Sequence, residues 1–583
     1  MGTISDKLMR IINTKEDIRQ ALISKGYDVP TSIPFKEYAK MILDLPCNAD
    51  SFPDIEGIVA RYSASGLTNE QMAANPVWAD KTGNGRDLQL KNFSWKRMSG
   101  VGGYVQDFND FRNNATVDKI RIDEQNSNSI KVTILNTEIN NAIYIPKDIY
   151  QFNKSYSIKI SSEGYNEGDL FLLFYVPSTS TATTVKVPLN PNGITEIPAI
   201  KEDDFLAVYI NVSGKVGSFT VEQLPLYPGA LVFDGVNDYG VCENFPILTK
   251  EKGYTVVALR QWDQDFLNTT LTGGLLSTRN YSTGEGVAFE KIESSNKGYW
   301  NLGAGGIIDF AKSPFTWQTS KQYNNVGILK GYKNHGKPLC VGCGLSGGQQ
   351  CGRFAIWELV FLDHDATEEE LTKIKDYFVK TYPWLFPDQA WTVTGKTNED
   401  EDRATIANIT GNGNDLVLSN FGFIEGSGYN KEGEYAGYLV TDGVDDKITS
   451  SIFEMGNDWT VIGDWKLINT GKNDNAGIVK FDSIVIYNYN PILINIKNGR
   501  NNLIPDQNTV NAICSDGRIY SKDWKESIYN EETESTSKNF LTIGYSGNSY
   551  TKIAFKNLAI YPTVLSKDEC IKAYNYLQTI KSK

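Results

Sequence analysis

The chain repeats itself, and the repeat limits what it can fold into. Ala79-Asp80-Lys81-Thr82-Gly83-Asn84-Gly85-Arg86-Asp87-Leu88-Gln89-Leu90-Lys91-Asn92-Phe93 matches Ala407-Asn408-Ile409-Thr410-Gly411-Asn412-Gly413-Asn414-Asp415-Leu416-Val417-Leu418-Ser419-Asn420-Phe421 without a gap. Further matches follow in the same order. Asp234-Gly235-Val236-Asn237-Asp238 pairs with Asp442-Gly443-Val444-Asp445-Asp446, and Tyr254-Thr255-Val256-Val257 with Trp459-Thr460-Val461-Ile462. Asn334-His335-Gly336-Lys337 pairs with Ser515-Asp516-Gly517-Arg518, and Leu339-Cys340-Val341-Gly342 with Leu541-Thr542-Ile543-Gly544. Last comes a strand into a helix: Glu358-Leu359-Val360-Phe361 with Asn557-Leu558-Ala559-Ile560, then Thr367-Glu368-Glu369-Glu370 with Ser566-Lys567-Asp568-Glu569. The final pair has capping-box spacing. Landmarks in one order imply two copies of one domain.

Spacing locates an insertion. Gly83 to Asp234 spans 151 residues, whereas Gly411 to Asp442 spans 31, an excess of about 120 in the first copy. By sequence character it lies between Ala115 and Pro225. It carries its own alternating, aromatic-rich runs: 129–134, 155–160, 170–175 and 205–210. Such runs read as strands of a small β-sandwich placed at a loop tip, where insertion is tolerated.

Residues 1–46 read differently. Leu8, Ile11, Ile18 and Leu22, with Ile4 and Ile12, recur at helical spacing, and a second short helix is expected from Pro34. A helical segment this short cannot close a core alone, so it wants a partner. The four named apolar residues are the candidates for attachment and oligomerisation, a helical hairpin on the next domain being the bland alternative. The expected layout is a helical segment at 1–46, a first sandwich at 47–115 plus 226–386, an inserted sandwich at 116–225 and a second sandwich at 387–583.

The composition agrees with a mainly β protein. The chain has 583 residues, too many for a single core. Its 51 glycines supply the positive-φ turns that many short strands need. A formal net charge of −13 disfavours a nucleic-acid surface, and no apolar run reaches the roughly 20 residues of a membrane span. The N-terminus has no apolar signal core, so classical secretion is not expected. Seven cysteines read as reduced thiols.

The landmarks resemble the laminin-G or concanavalin A-like lectin superfamily as found in phage and bacterial surface proteins. The resemblance rests on Asp-Gly-Val-x-Asp, the Tyr/Trp-Thr-Val strand, the Gly-Lys/Gly-Arg hairpin and the late strand with its capped helix. It covers about 350 residues across both copies. Ile4-Ser5-Asp6-Lys7-Leu8 through Thr14-Lys15-Glu16 and Lys25-Gly26 resemble the short leader on head and tail fibre proteins of phages of Bacteroides-like hosts, including the crAss-like group. The resemblance implies tandem concanavalin-like antiparallel β-sandwiches, one carrying an inserted small β-sandwich, after a short α-helical segment. It also implies a virion component, a head (capsid) or tail fibre assembled in the host bacterial cytoplasm. The expected partners are a second or third copy of the chain, other virion proteins through the N-terminal segment, and host-surface or mucus glycans.

Some relatives bind Ca²⁺ near the rim, but no complete ligand set maps here. Asp234, Asn237 and Asp238, with Asp442, Asp445 and Asp446, read first as turns entering strands. No cofactor is expected. Trp262, Tyr281, Trp300 and Trp317 fall near expected loops and are the candidates for stacking on sugar rings, core packing being the other fate.

A catalytic carboxylate set does not emerge. Glu-x-Asp-x-x-Glu on one strand would put nucleophile and acid on one face. Glu167-Gly168-Asp169 and Glu202-Asp203-Asp204 begin that pattern, but Leu172 and Ala207 end it. The two histidines, His335 and His364, fall in an expected turn and before a capped helix, both solvated settings. Gly331 to Lys337 mimics a phosphate loop, yet Pro338 replaces the required hydroxyl. Cys340, Cys343 and Cys351 have zinc-like spacing, but no fourth ligand is evident and the second copy has Thr542 and Tyr545 in matched places. The expectation is a non-enzymatic adhesive fibre component. The rivals are a phage-borne surface polysaccharide depolymerase and a non-viral bacterial glycan-binding protein.

Overall fold

Each copy is built on one long strand that carries an extra residue. In the computed structural model these strands are Arg353–Leu362 and Ile553–Tyr561. The structure describes residues 52–581, less short breaks and the longer stretches 279–287, 310–337, 469–476 and 529–540. The expected N-terminal helices, with Leu8, Ile11, Ile18 and Leu22, lie outside the described residues.

Along one edge, Arg353–Leu362 pairs throughout with Thr255–Trp262, and Ile553–Tyr561 pairs with Thr460–Leu467. The other edge is shared by two strands. Ile58–Ser63 and Leu231–Asp234 divide it in the first copy, Gln389–Thr392 and Leu439–Val440 in the second. The register skips one residue at matched places. Leu259 faces Glu358 and Arg260 faces Ile356; Asp464 faces Asn557 and Trp465 faces Phe555. Trp357 and Lys556 are therefore bulge residues, and each resets the inward alternation of its strand. Phe354, Ile356, Leu359 and Phe361 face one core, and Ile553, Phe555, Leu558 and Ile560 the other.

The facing sheets also correspond. In the first copy the strands run Val77–Trp78, Leu88–Lys91, Tyr239–Cys242, Leu339–Val341 and Gly273–Ser277, then three further strands. In the second they run Thr405–Ile406, Leu416–Ser419, Lys447–Thr449, Thr542–Ile543 and Gly477–Phe481, then three more. The architecture is tandem antiparallel β-sandwiches, as the repeat predicts.

The insertion occupies a hairpin. Gly428–Tyr429 pairs with Leu439–Val440 across a short connection in the second copy. The equivalent Gly100–Val101 and Leu231–Val232 also pair, but the connection between them holds a whole sandwich. Its two five-stranded sheets enclose a core that begins at Val105, Phe108 and Phe111, ahead of the start expected from sequence character. The neck is zipped by Gly102 N–H to Ala230 O (2.8 Å) and Tyr227 N–H to Gly102 O (2.8 Å). Gln223, fully buried, accepts from the N–H of Val105 and Gln106 and donates to Gln106 O.

The closing helix, Lys567–Leu577, starts at Ser566 with a complete capping box to Glu569, as the sequence predicts. It reaches all three sandwiches. Tyr574 donates to Glu196 of the insertion at 3.2 Å. Tyr576 lies edge-on to Trp357 of the first copy at 5.8 Å. Beyond the helix, Gln261 donates to Thr579 and Lys581 pairs with Asp265. On its own sandwich, Gln578 donates to Asp464 at 3.3 Å. Lys556 lies 4.0 Å from Glu196 and 3.8 Å from Asp464, so the second bulge residue also faces a neighbouring sandwich.

Because the insertion replaces only a hairpin connection, grafting residues 430–438 in place of 102–230 should leave the first sandwich folded. Far-ultraviolet circular dichroism and cooperative thermal unfolding of the graft check this. By contrast, Leu558→Ala inside the second core should cost about 2–5 kcal/mol in denaturant unfolding.

Candidate functional site

The duplicated Asp-Gly-Val-x-Asp segment forms the same tight turn in both copies. Asp234 Oδ1 accepts from the N–H of Val236 (2.7 Å) and Asn237 (3.3 Å), while Asp238 Oδ2 accepts from Asp234 N–H (3.1 Å). Asp442 Oδ1 accepts from Val444 (2.7 Å), Asp445 (3.3 Å) and Asp446 (3.4 Å), and Asp446 Oδ2 accepts from Asp442 N–H (2.8 Å). The glycine between is required twice over. Gly235 has φ 75°, and a Cβ there would stand 3.1 Å from Arg353 N; Gly443 has φ 76° and the same distance to Lys552 N. Asn92 and Asn420, both at positive φ, brace the turns by donating to Asn237 O and Asp445 O.

The turn sorts its side chains by depth. Asp238 and Asp446 are fully buried, whereas Val236 and Val444 at the tips are 68% and 70% exposed. A β-branched apolar side chain in solvent does nothing for the core beneath it. Burial pushes the Asp238 carboxyl up to about 7, helped by the Asp234 charge and opposed by the Ser99 hydroxyl. Burial likewise raises Asp446 to about 6, against the pull of the Asp442 N–H and the Ser427 hydroxyl.

Asp442, Asp445 and Asp446 bring carboxylate oxygens within 4.8 Å of one another, the chemistry of a hard cation site. Two of the three already close the turn by accepting N–H groups, and the first copy has Asn237 where Asp445 stands. The turn reading expected from the sequence describes the hydrogen bonds of both copies.

One of the aromatic candidates needs correction. Trp262 is 2% exposed and packs in the first core, stacked on Phe266 at 6.0 Å and edge-on to Phe354 at 5.1 Å. It ends a strand whose side chains are all buried, so it is closed to a sugar ring. Tyr281, Trp300, Trp317 and His335 lie outside the described residues. His364 sits beside Asp363 at 3.3 Å. Asp169 pairs with Lys215 at 2.7 Å, and that charge-assisted bond with the Asn166 N–H holds its carboxyl below the usual range. Cys340, Cys343 and Cys351 form one buried cluster beside Tyr239. Cys343 stands opposite Cys351 across an antiparallel pair, the place of Tyr545 and Tyr550 in the second copy.

Sequence reasoning missed the residues that join the sandwiches. Glu196 and Tyr574 are 378 positions apart. Burial, with the Asp464 charge beside it, raises the Glu196 carboxyl, while Lys556, Lys466 and the Tyr574 hydroxyl oppose the shift. No local spacing announces that cluster.

No protein-family model and no curated protein matches this chain. Among solved structures, it is similar to a botulinum neurotoxin type G receptor binding domain at 13% identity and TM-score 0.21. That match covers 32% of this chain and 50% of the other, so the chain spans half the length of that structure. A Trypanosoma rangeli sialidase in complex with sialic acid aligns at 9% identity over 83% of this chain and 96% of its own, with TM-score 0.25. A botulinum neurotoxin serotype D binding domain gives 11%, 59%, 89% and 0.23. Scores of this size carry no argument about ligand or chemistry.

The buried carboxyls give a pH signature. The folded chain holds the Asp238 proton well above the ordinary 3.8, so this group favours folding most at low pH and its contribution is lost as pH rises through about 7. Asp238→Asn should remove that dependence. Between about pH 5 and pH 8, urea unfolding should show the wild type losing stability relative to Asp238→Asn by on the order of a few kcal/mol. Parallel pH profiles would contradict the assignment.

Proposed function

We propose that this chain is a non-catalytic, multivalent adhesin: a virion head or tail fibre component that holds lectin-like sandwiches out toward host-surface or mucus glycans. One observation carries the reading. The two sandwiches repeat a solvent-facing detail, Val236 and Val444 at the tips of identical turns, that neither core needs. Two equal tips on one chain offer two equal contacts. Tethered contacts multiply affinity without any single tight site, and oligomerisation through residues 1–46 would multiply it again. The virion assignment is supported by the resemblance of the leader at residues 4–26 to fibre proteins.

The test is retention of purified full-length protein on immobilised capsule or mucin. Val236→Lys and Val444→Lys should each weaken retention modestly, and the double variant should weaken it by about 10²-fold or more, with circular dichroism unchanged. Full retention by the double variant would overturn the turn-tip contact. Release of reducing ends from the polysaccharide would overturn the non-catalytic reading.

A further inference from the structure

Two thiols meet at the base of the closing helix. Cys514 ends the strand Val510–Cys514, and Cys570 lies in the first turns of Lys567–Leu577. Their side chains hydrogen-bond to each other, and each sulfur lies 3.9 Å from the carbonyl oxygen of Leu565. Both are free and both are buried.

The positions are fixed by groups other than the thiols. Cys514 pairs with Thr460 in the ladder, and the Thr460 hydroxyl, 3.7 Å from the Cys514 sulfur, also accepts from Leu565 N–H. Cys570 N–H donates to Ser566 O at 2.9 Å, inside the turn that the capping box locks. A strand and a capped helix therefore hold the two sulfurs in contact, the circumstance in which a bond between them needs little backbone movement.

We propose that Cys514 and Cys570 are a latent disulfide that closes when the folded protein enters oxidising surroundings, fastening the closing helix to the second sandwich. The oxidant is a low-molecular-weight disulfide. The Cys514 thiolate attacks one of its sulfurs, forming a mixed disulfide and expelling one small thiolate. The Cys570 thiolate then attacks the Cys514 sulfur, forming the internal bond and expelling the second. Two protein thiols are oxidised, one small disulfide is reduced to two thiols, and the two protons pass to the expelled thiolates. Cys514 suits the attacking role, since the hydrogen bond from Cys570 holds its thiol below the usual value. Burial confines the first attack to moments when the helix start opens, so closure is slow.

A covalent tie here differs from one elsewhere. It closes the long loop between residues 514 and 570, and it anchors the helix that contacts all three sandwiches. The rival pair is Cys343 with Cys351, which face each other across two short strands.

The full-length protein is incubated with oxidised glutathione, denatured, alkylated and digested for mass spectrometry. The expected product is a reducible cross-link between the Cys514 and Cys570 peptides, with Tm raised by several degrees over the reduced protein. C514S and C570S should each abolish both the cross-link and the rise. Persistence of the rise in either variant overturns the proposal. So does recovery of Cys514 and Cys570 alkylated, or joined to glutathione, in the oxidised wild type.

Discussion

One extra residue in the middle of a long strand organises much of this molecule. A bulge turns the strand and aims a side chain that would otherwise alternate inward. In the first copy that side chain is Trp357, which donates its indole N–H to Pro228 O at 2.8 Å and meets Tyr576. In the second it is Lys556, which faces Glu196 and Asp464. The same irregularity, twice, supplies a contact by which sandwiches meet. Beside the second bulge, Gly463 leaves room for the Trp465 ring, which a Cβ would strike.

The copies keep one polar plan and vary what it touches. Asp80 and Asn408 each accept from a strand N–H and from a threonine two residues on; Asp87 accepts from the Asp80 N–H, and Asp415 from the Asn408 N–H. Asn69 and Asn398 clasp Val101 and Tyr429 by both of their amide atoms. These bonds satisfy backbone groups that a short-stranded sheet leaves open. Beneath them the copies diverge. The first buries an Arg61–Glu358 ion pair with Tyr382 donating to Glu358; the second has Ala390 and Asn557 in those places. An ion pair of that depth is costly to break from one side, so the two sandwiches tolerate different substitutions at one position.

The repeat, the turns and the strand-to-helix ending were legible in the sequence because local chemistry dictates them. Asp-Gly-Val-x-Asp can close only as it does, and Ser566 with Glu569 states where a helix begins. The insertion was visible as excess length, but its edges were not. Val105 and Phe108 look like a continuation of the first sandwich until the pairing of Val101 with Leu231 shows that the hairpin has already closed. Sequence alone leaves Trp262 between a loop and the core, because a strand buried along its whole length carries no alternation to mark an inside. The contact of Cys514 with Cys570 and the Glu196 cluster depend on which sandwich lies beside which, information that no spacing holds.

Native-state hydrogen exchange tests the central claim most directly. If the bulged strands tie the sandwiches into one unit, amides in Arg353–Leu362 and Ile553–Tyr561 open together, and their opening free energies converge on a single value as denaturant is added. Separate values for the two strands, each insensitive to the other, would show two sandwiches that merely share a chain.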